Sequence, residues 1–300
     1  MGDRERERAR LSPRAVADAR DEVVLDVATT ATSRVRELSR GGRRKNDVID
    51  ASAAASVAAL QGDAREVGAE DHTALFALLE ERRANLAAQR VRAVNQLHAL
   101  MRDLIPGGAR LALTAKVAAT ALRAVRPATP TERTRKDIAW DLVRDIRALD
   151  ERLNTISERM TAALEEHGSS LTEVDGIGPV LGVRLIGRSG PASRFRSSDA
   201  FASYAGVAPI EVSSGERVTH RLSRSGDRQL NSALHLVAVT QVRMRSSAGR
   251  QFFDRKIAEG KTRNEAMRCL KRRIAAHVWR RMLADERRRE TRREGPALAA

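Results

Sequence analysis

Residues 136–167 read KDIAWDLVRDIRALDERLNTISERMTAALEEH. Leu142, Ile146, Leu149, Leu153, Ile156, Met160 and Ala163 fall at alternating spacings of four and three, with charged residues between them. A repeat of that regularity predicts one long helix carrying a narrow apolar stripe of the coiled-coil kind. The pattern recurs upstream from about residue 71. Leu86, Arg90, Val94, Leu97, Met101 and Leu104 follow steps of four or three until Pro106, Gly107 and Gly108 stop them. The linker at 107–135 carries Pro127 and Pro130. Two such helices predict an antiparallel hairpin. A narrow seam with charged flanks also suits a dimer, so homo-oligomerisation through the coiled coil stands beside the plain intramolecular hairpin.

Outward from the hairpin the patterning weakens. Residues 23–27 (VVLDV) are short and β-branched and read as a strand. The basic loop 41–45 (GGRRK) leads to Asn46 or Asp47 as helix cap, then to an Ala-rich helix at 48–60 closed by Gly62. Residues 169–250 are compact and mixed, with closely spaced Gly, Ser and Pro. A last helix is expected at 264–283, with Met267, Leu270, Ile274, Val278 and Met282 on one side. The tail from Asp285 is expected to be disordered.

The 300 residues carry 55 Lys and Arg against 39 Asp and Glu, a net charge of +16. Residues 255–294 alone hold fifteen basic and six acidic side chains. Such an excess points to a polyanion, and nucleic acid is the commonest. Aromatic residues make up only 3%, which argues against rows of bases stacked on aromatic platforms. Cys269 stands alone, so no internal disulfide can form. The six histidines (72, 98, 167, 220, 235 and 277) lack metal-ligand spacing. No phosphate-binding loop or G-x-S-x-G elbow occurs. Trp140 and Trp279 fall within helices and read as packing residues. Without a long apolar run or secretory leader, the expected setting is the cytoplasm, with no membrane.

Three constellations carry chemistry. In LTEVDGIGPVLGVRLIG (171–187), an apolar residue, then Gly176-Ile177-Gly178, then an apolar helix has the pattern of a helix-hairpin-helix. Glycines let the backbone approach a phosphate, and the N–H groups at the next helix start face it. The plain alternative is a turn between packed helices. In KNDVIDA (45–51), Asp47 and Asp50 lie three apart, on one helical face, where paired carboxylates can hold a divalent ion. Acids in a first turn also simply favour the helix dipole. In VSSGER (212–217), a serine before glycine can present its hydroxyl to a phosphodiester. Arg217, Arg221, Arg224 and Arg228 can offset charge on the phosphoryl oxygens. Ser-Gly is equally an everyday turn. On the final helix, Arg268, Lys271 and Arg272 are expected to touch DNA.

The order of these elements carries a resemblance. RELSRGGRRKNDVIDA (36–51) resembles the end of the RNase H-like catalytic domain of insertion-sequence 110 (also 116/902) family transposases. EERRANLAAQRVRAVNQLHALMRDLIPG (80–107) resembles that family's coiled-coil insert. Residues 171–235, with G-I-G-P, A-S-Y-A-G-x-A-P and S-G at the family's spacings, resemble its C-terminal transposase domain. The resemblance implies metal-assisted phosphoryl transfer on DNA, with Mg²⁺ held by four acids and a serine nucleophile. It further implies a structured guide RNA that selects the target. Asp47 and Asp50 match the last two acids. Ser214 matches the nucleophile, and Ser213 is the runner-up.

The resulting expectation is a mainly α chain. Residues 1–62 form a partial RNase H-like α/β remnant, 63–168 the coiled-coil insert, 169–284 the helical transposase domain, and 285–300 a basic tail. Only 46 residues precede Asp47, and Asp26 lies too near the pair to match the family's first Asp or its Glu. The reading therefore expects an N-terminally shortened chain. It leaves a catalytically dead DNA- or RNA-binding remnant as the alternative to an active transposase.

Overall fold

The structure, a computed structural model, describes residues 23–27, 29–38, 46–61, 65–66, 72–110, 112–214, 217–222 and 226–294. For residues 26, 29–31, 61, 65–66, 210–214, 217–222 and 293–294 the description covers the backbone alone. The chain divides into two units, Met1–Glu70 and Asp71–Ala300. It is mainly helical, and the described strands form two antiparallel pairs.

In the first unit β1 (Leu25–Asp26) pairs with β2 (Arg65–Glu66), with Leu25 opposite Glu66. The strand expected at 23–27 is thus confined to two residues. Helix α1 (Thr29–Leu38) precedes α2 (Asp47–Gln61), whose Ala53 and Val57 are buried. The cap of α2 is Asn46, whose Oδ1 accepts a hydrogen bond from the Ile49 N–H at 2.8 Å. Gly41–Lys45 and Gly62 lie outside the described residues.

In the second unit α3 (His72–Leu104) and α5 (Pro130–His167) form the long hairpin. Arg135 reaches Asp103 at 3.5 Å near its tip, Arg90 pairs with Asp150 midway, and the Phe76 and His167 rings lie 5.1 Å apart at its base. One helix therefore descends as the other rises. Leu142, Ile146, Leu149, Ile156 and Met160 of the seam are buried, as are Leu86, Leu97 and Met101 of α3. The seam closes within the chain. In this chain the stripe is covered by α3, the arrangement of the intramolecular hairpin.

Two features of the hairpin differ from expectation. α5 starts six residues before 136, because Thr129 caps it and Pro130 occupies the first helical position. Thr129 Oγ1 accepts from the Glu132 N–H at 3.1 Å, and Glu132 Oε2 accepts from the Ala128 N–H at 2.7 Å. A proline that stops a helix elsewhere suits its first turn, where its missing N–H would be unpaired anyway. The linker also holds a helix, α4 (Ala115–Ala124), capped by Thr114. Its Ala118, Ala119 and Leu122 are buried against Ala139 and Val143 of α5. Its ten residues lie between the breakers Pro106–Gly108 and Pro127, so the whole stretch reads as linker.

At its base the hairpin merges with the helices downstream of it, and residues on both sides of position 168 belong to one compact unit. Gly168 ends α5 in the left-handed conformation at φ 68°, and a 3-10 turn, Ser170–Glu173, leads to α6 (Pro179–Ser189). Arg184 of α6 reaches back to the buried Glu80 of α3 at 2.5 Å. A second 3-10 turn (Ala192–Arg194), α7 (Ser198–Tyr204), β3 (Pro209–Ser214), β4 (Arg217–Leu222), α8 (Arg228–Arg243), α9 (Ala248–Ala258) and α10 (Arg263–Glu294) complete the unit. Leu185, Phe201, Leu230, Leu234, Val237 and Val278 are fully buried in the shared core. Each such side chain contributes about 1.5–3 kcal/mol.

The tail reading is corrected. α10 continues to Glu294, and Asp285 is only 2% exposed. Its carboxylate accepts hydrogen bonds from Ser170, and Glu286 accepts from the Ala192 and Ser193 N–H groups. These acids satisfy amides at the starts of both 3-10 turns, which is why the chain stays ordered past 284. Residues 295–300 lie outside the described set.

Candidate nucleic-acid interface

The segment Asp175–Gly178 is pinned at one end and open at the other. The Val174 N–H donates to the Leu171 carbonyl at 3.1 Å and the Ile177 N–H to the Val174 carbonyl at 3.0 Å. Ile177, 4% exposed, plugs into the core. Gly176 has φ +82°, and a Cβ there would lie 3.1 Å from Thr240 Cβ and 3.3 Å from the Val237 carbonyl oxygen. Glycine is required at this point by both torsion and packing. Gly178 is exposed and caps α6 without a side-chain hydrogen bond, and a Cβ on it would meet nothing within 4 Å. Pro179 follows at the first helical position, and the first helical bond runs from the Gly182 N–H to the Gly178 carbonyl at 2.9 Å. The early amides of α6 are thus presented at an accessible helix start, where an anion is favoured. The arm before the turn is a four-residue 3-10 helix, shorter than a helix-hairpin-helix suggests.

Ser213 and Ser214 are the last two residues of β3 rather than members of a loose turn. Ser214 pairs with Arg217 and Pro209 with Leu222. Gly215 and Glu216 lie outside the described residues, as does Arg224, and Ser213, Ser214, Arg217 and Arg221 enter through their backbone alone. The feet of this hairpin are held firmly. Asn231 Nδ2 donates to the Gly206 carbonyl at 2.8 Å, and the Asp227 N–H donates to the Tyr204 carbonyl at 2.8 Å. Asp227 also caps α8 and accepts from Arg188 at 2.6 Å. Arg228, next in sequence, is exposed.

The basic residues of α10 divide. Arg268 is exposed, and Arg272 pairs with Asp199 at 2.9 Å. Lys271 is not a surface cation: it is 8% exposed, and its Nζ donates to Asn231 Oδ1 at 2.6 Å. Burial pushes its pKa below the ordinary lysine value. The expectation that Lys271 touches DNA is corrected, because the helical period turns it toward α8 while Arg268 and Arg272 remain at the surface. Sequence reading did not group Arg273, His277 and Arg280, which together line a cavity beside the 173–175 turn. Their spacings of four and three would have shown a shared face.

Asp47 and Asp50 occupy the first turn of α2 as expected. Asp47 is exposed, while Asp50 Oδ1 is held by Arg36 at 2.7 Å, and Arg36 also donates to Ser33 at 3.2 Å. Among the described residues no three His, Cys, Asp or Glu side chains converge as metal ligands. Two carboxylates, one of them engaged by a guanidinium, do not make the oxygen cage that Mg²⁺ demands. The pair as it stands does not fit the ion. Asp3, Asp18, Asp21 and Glu22 lie outside the described residues, and Asp26 enters through its backbone alone.

A family model described as the IS116/IS110/IS902 transposase family matches residues 168–254, and a second transposase model matches residues 6–106. The chain is 28% identical to the insertion element IS116 uncharacterized 44.8 kDa protein of Streptomyces clavuligerus, covering 82% of this chain and 73% of that one. It is 29% identical to the insertion element IS900 uncharacterized 42 kDa protein of Mycobacterium paratuberculosis, covering 79% and 71%. A shorter match, 33% identical over 38% of this chain and 36% of the other, is to the pilin gene-inverting protein of Moraxella bovis. A helical, strongly basic chain with these matches is a DNA recombinase. Its likeness is to the transposases of the IS116/IS110/IS902 family over residues 168–254 and to a further transposase model over residues 6–106. No described helix is long and apolar enough to cross a membrane.

Proposed function

We propose that the chain moves an insertion sequence by phosphoryl transfer on DNA, with Ser214 as the nucleophile. Its Oγ forms a bond to phosphorus as the bond from phosphorus to the departing deoxyribose oxygen breaks, and the hydroxyl proton passes through solvent to that oxygen, which leaves as an alcohol. The single observation that carries this reading is Ser214's position at the end of a hairpin whose feet are bonded to α8 and to the Tyr204–Gly206 turn. A nucleophile on a rigid support reacts with little loss of orientation. Arg217, Arg221, Arg224 and Arg228 surround it in sequence and supply cationic donors for the phosphoryl oxygens. Gly176 and Gly178 place the DNA backbone at the start of α6, and Arg268 and Arg272 add phosphate contacts.

The remaining parts of the reading rest on the family resemblance. They are an RNase H-like character for the first unit, Asp47 and Asp50 as its acids, and a structured RNA that selects the target. A second reading, a DNA- or RNA-binding protein without chemistry, is favoured by the Arg36–Asp50 ion pair, which occupies an oxygen that a metal would need. A strand-transfer assay separates the two. Ser214→Ala should abolish covalent protein–DNA product while leaving DNA affinity within about twofold, and Ser213→Ala should retain product. If Ser213→Ala is the inactive variant, the assignment passes to Ser213. If the unaltered chain binds DNA but never forms product, the binding-only reading holds.

A further inference from the structure

We propose that the cavity between the 173–175 turn, the start of α9 and the middle of α10 takes one unpaired nucleotide of a nucleic-acid strand. This rests on the reading of the chain as a protein that acts on nucleic acid and specifies the form of ligand that it holds. The cavity encloses about 610 Å³, within the range of small-molecule sites. Its apolar lining is Val174, Leu270 and Ile274, all buried, with Ala248. Its basic wall is one face of α10, where Arg273, His277 and Arg280 sit at spacings of four and three. The opposite wall is the acidic turn, with exposed Glu173 and Asp175.

The polar groups of the cavity are held in place. The Arg273 guanidinium lies 4.8 Å from the Phe252 ring centroid, a stacking arrangement that leaves its N–H edges available. Arg280 Nε is tied to the Ala276 carbonyl of its own helix at 3.0 Å. Gln241 Nε2 donates to the Asp175 carbonyl at 2.8 Å, fixing the turn against α8. Glu173 is held by Arg281 at 2.6 Å, so Asp175 is the carboxylate of this wall without a described ion pair.

Charge and apolar surface are therefore divided across the cavity as they are across a nucleotide. Its phosphate suits the arginines of α10, its flat faces suit the aliphatic edge that Ala248 and Val174 present, and its donor edge suits Asp175. An inorganic anion would gain nothing from an apolar edge, and a base pair inside a duplex exposes no free base to enter a cavity. Burial, and then the charges of Arg281, Arg280 and Arg273, lower the pKa of His277. A neutral imidazole offers one donor and one acceptor to a base edge. Few aromatic side chains are needed for this, because guanidinium planes also stack on bases. A shallow groove of about 400 Å³ at Thr172–Gly178 shares Glu173, Val174 and Asp175 with the cavity. A strand whose backbone lies against the Gly178 helix start thus borders the same wall.

Fluorescence anisotropy with the full chain tests this. The probes are a fully paired DNA duplex, the same duplex with one unpaired nucleotide, and that duplex with the unpaired nucleotide made abasic. The unpaired nucleotide should bind about tenfold more tightly than either control, the scale of one held base. Arg273→Ala and Arg280→Ala, both at exposed positions, should erase that difference and leave the paired duplex within about twofold. Repeating the series with the unpaired position as a ribonucleotide shows which sugar gains more, and so whether DNA or RNA is the natural source. Equal affinity for all three probes overturns the cavity proposal but spares the nucleic-acid reading. Binding to none of them at low salt overturns the reading beneath it.

Discussion

Asp285 and Ser170, 115 residues apart, are joined twice: Oδ2 accepts from the Ser170 N–H at 2.9 Å and Oδ1 from its hydroxyl at 2.8 Å. This contact ties the last helix to the turn that precedes the Gly176–Gly178 motif. Asp285→Ala would leave a buried amide and hydroxyl unpaired. It should cost about 3 kcal/mol, a fall in melting temperature of roughly 6–12 °C for a unit of this size. Circular dichroism on heating measures it. A chain ending at 284 that melts with the full one would refute the contact's importance.

Lys271 and Arg268 should separate in two measurements. Lys271 is buried against Asn231, so Lys271→Met should not change the slope of log K against log[salt] for DNA. Arg268→Ala should lower the slope by about 0.9 if it touches one phosphate. The pH dependence follows from the depressed pKa of Lys271. The unfolded chain holds this proton more tightly than the folded one. Stability should therefore rise with pH between the lowered pKa and the ordinary value of 10.5, and the full penalty is present below that window. Denaturant titrations across alkaline pH should lose this rise in Lys271→Met. A rise that persists would assign it to another group.

The two glycines of the motif should respond oppositely. Gly176→Ala forces an unfavourable torsion and pushes a methyl against Thr240, and should cost roughly 1–3 kcal/mol. Gly178→Ala meets open space and should cost about 0.5–1 kcal/mol, the difference between a favoured and a disfavoured cap residue. If DNA approaches the start of α6, Gly178→Ala should nevertheless weaken duplex binding severalfold. Unchanged affinity in a fully folded Gly178→Ala would remove this turn from the interface.

The hairpin seam makes a prediction about mass. Ile156 is 6% exposed and packs in one cluster with Leu86 and Leu149. Ile156→Asp should lower stability by about 3 kcal/mol or more through an unpaired buried charge. Sedimentation should show the same assembly state as the unaltered chain at temperatures where both are folded. A drop in mass with helicity retained would mean that the seam pairs between chains after all.

Much of the fold was legible because it is local. The four-three spacing in residues 86–104 and 142–163 writes the hairpin directly. Thr, Pro and Gly at the helix ends mark its limits, although Pro130 reads as part of a linker when it opens α5. The Ala-rich α4 stayed hidden because it is only ten residues long and sits between proline and glycine breakers that read as a linker. For the site, Gly176 and Gly178 were visible as a pair, but the sequence treats them alike. The contact with Thr240, 64 residues downstream, makes one structural and leaves the other open.

By itself the sequence determined the helical character, the apolar seam, the basic balance and the order of motifs that marks a transposase family. These come from composition and from spacing along one helix or turn, which neighbouring residues set among themselves. Only the tertiary structure decided that Lys271 faces inward and Arg268 outward, and that Asp285 and Glu286 hold two distant turns. It alone placed Arg273, His277 and Arg280 opposite Glu173 and Asp175 across a cavity. The reason is physical. A charged residue in a helix has no intrinsic partner, and its role is fixed by whichever donor or acceptor the folded chain brings within about 3 Å.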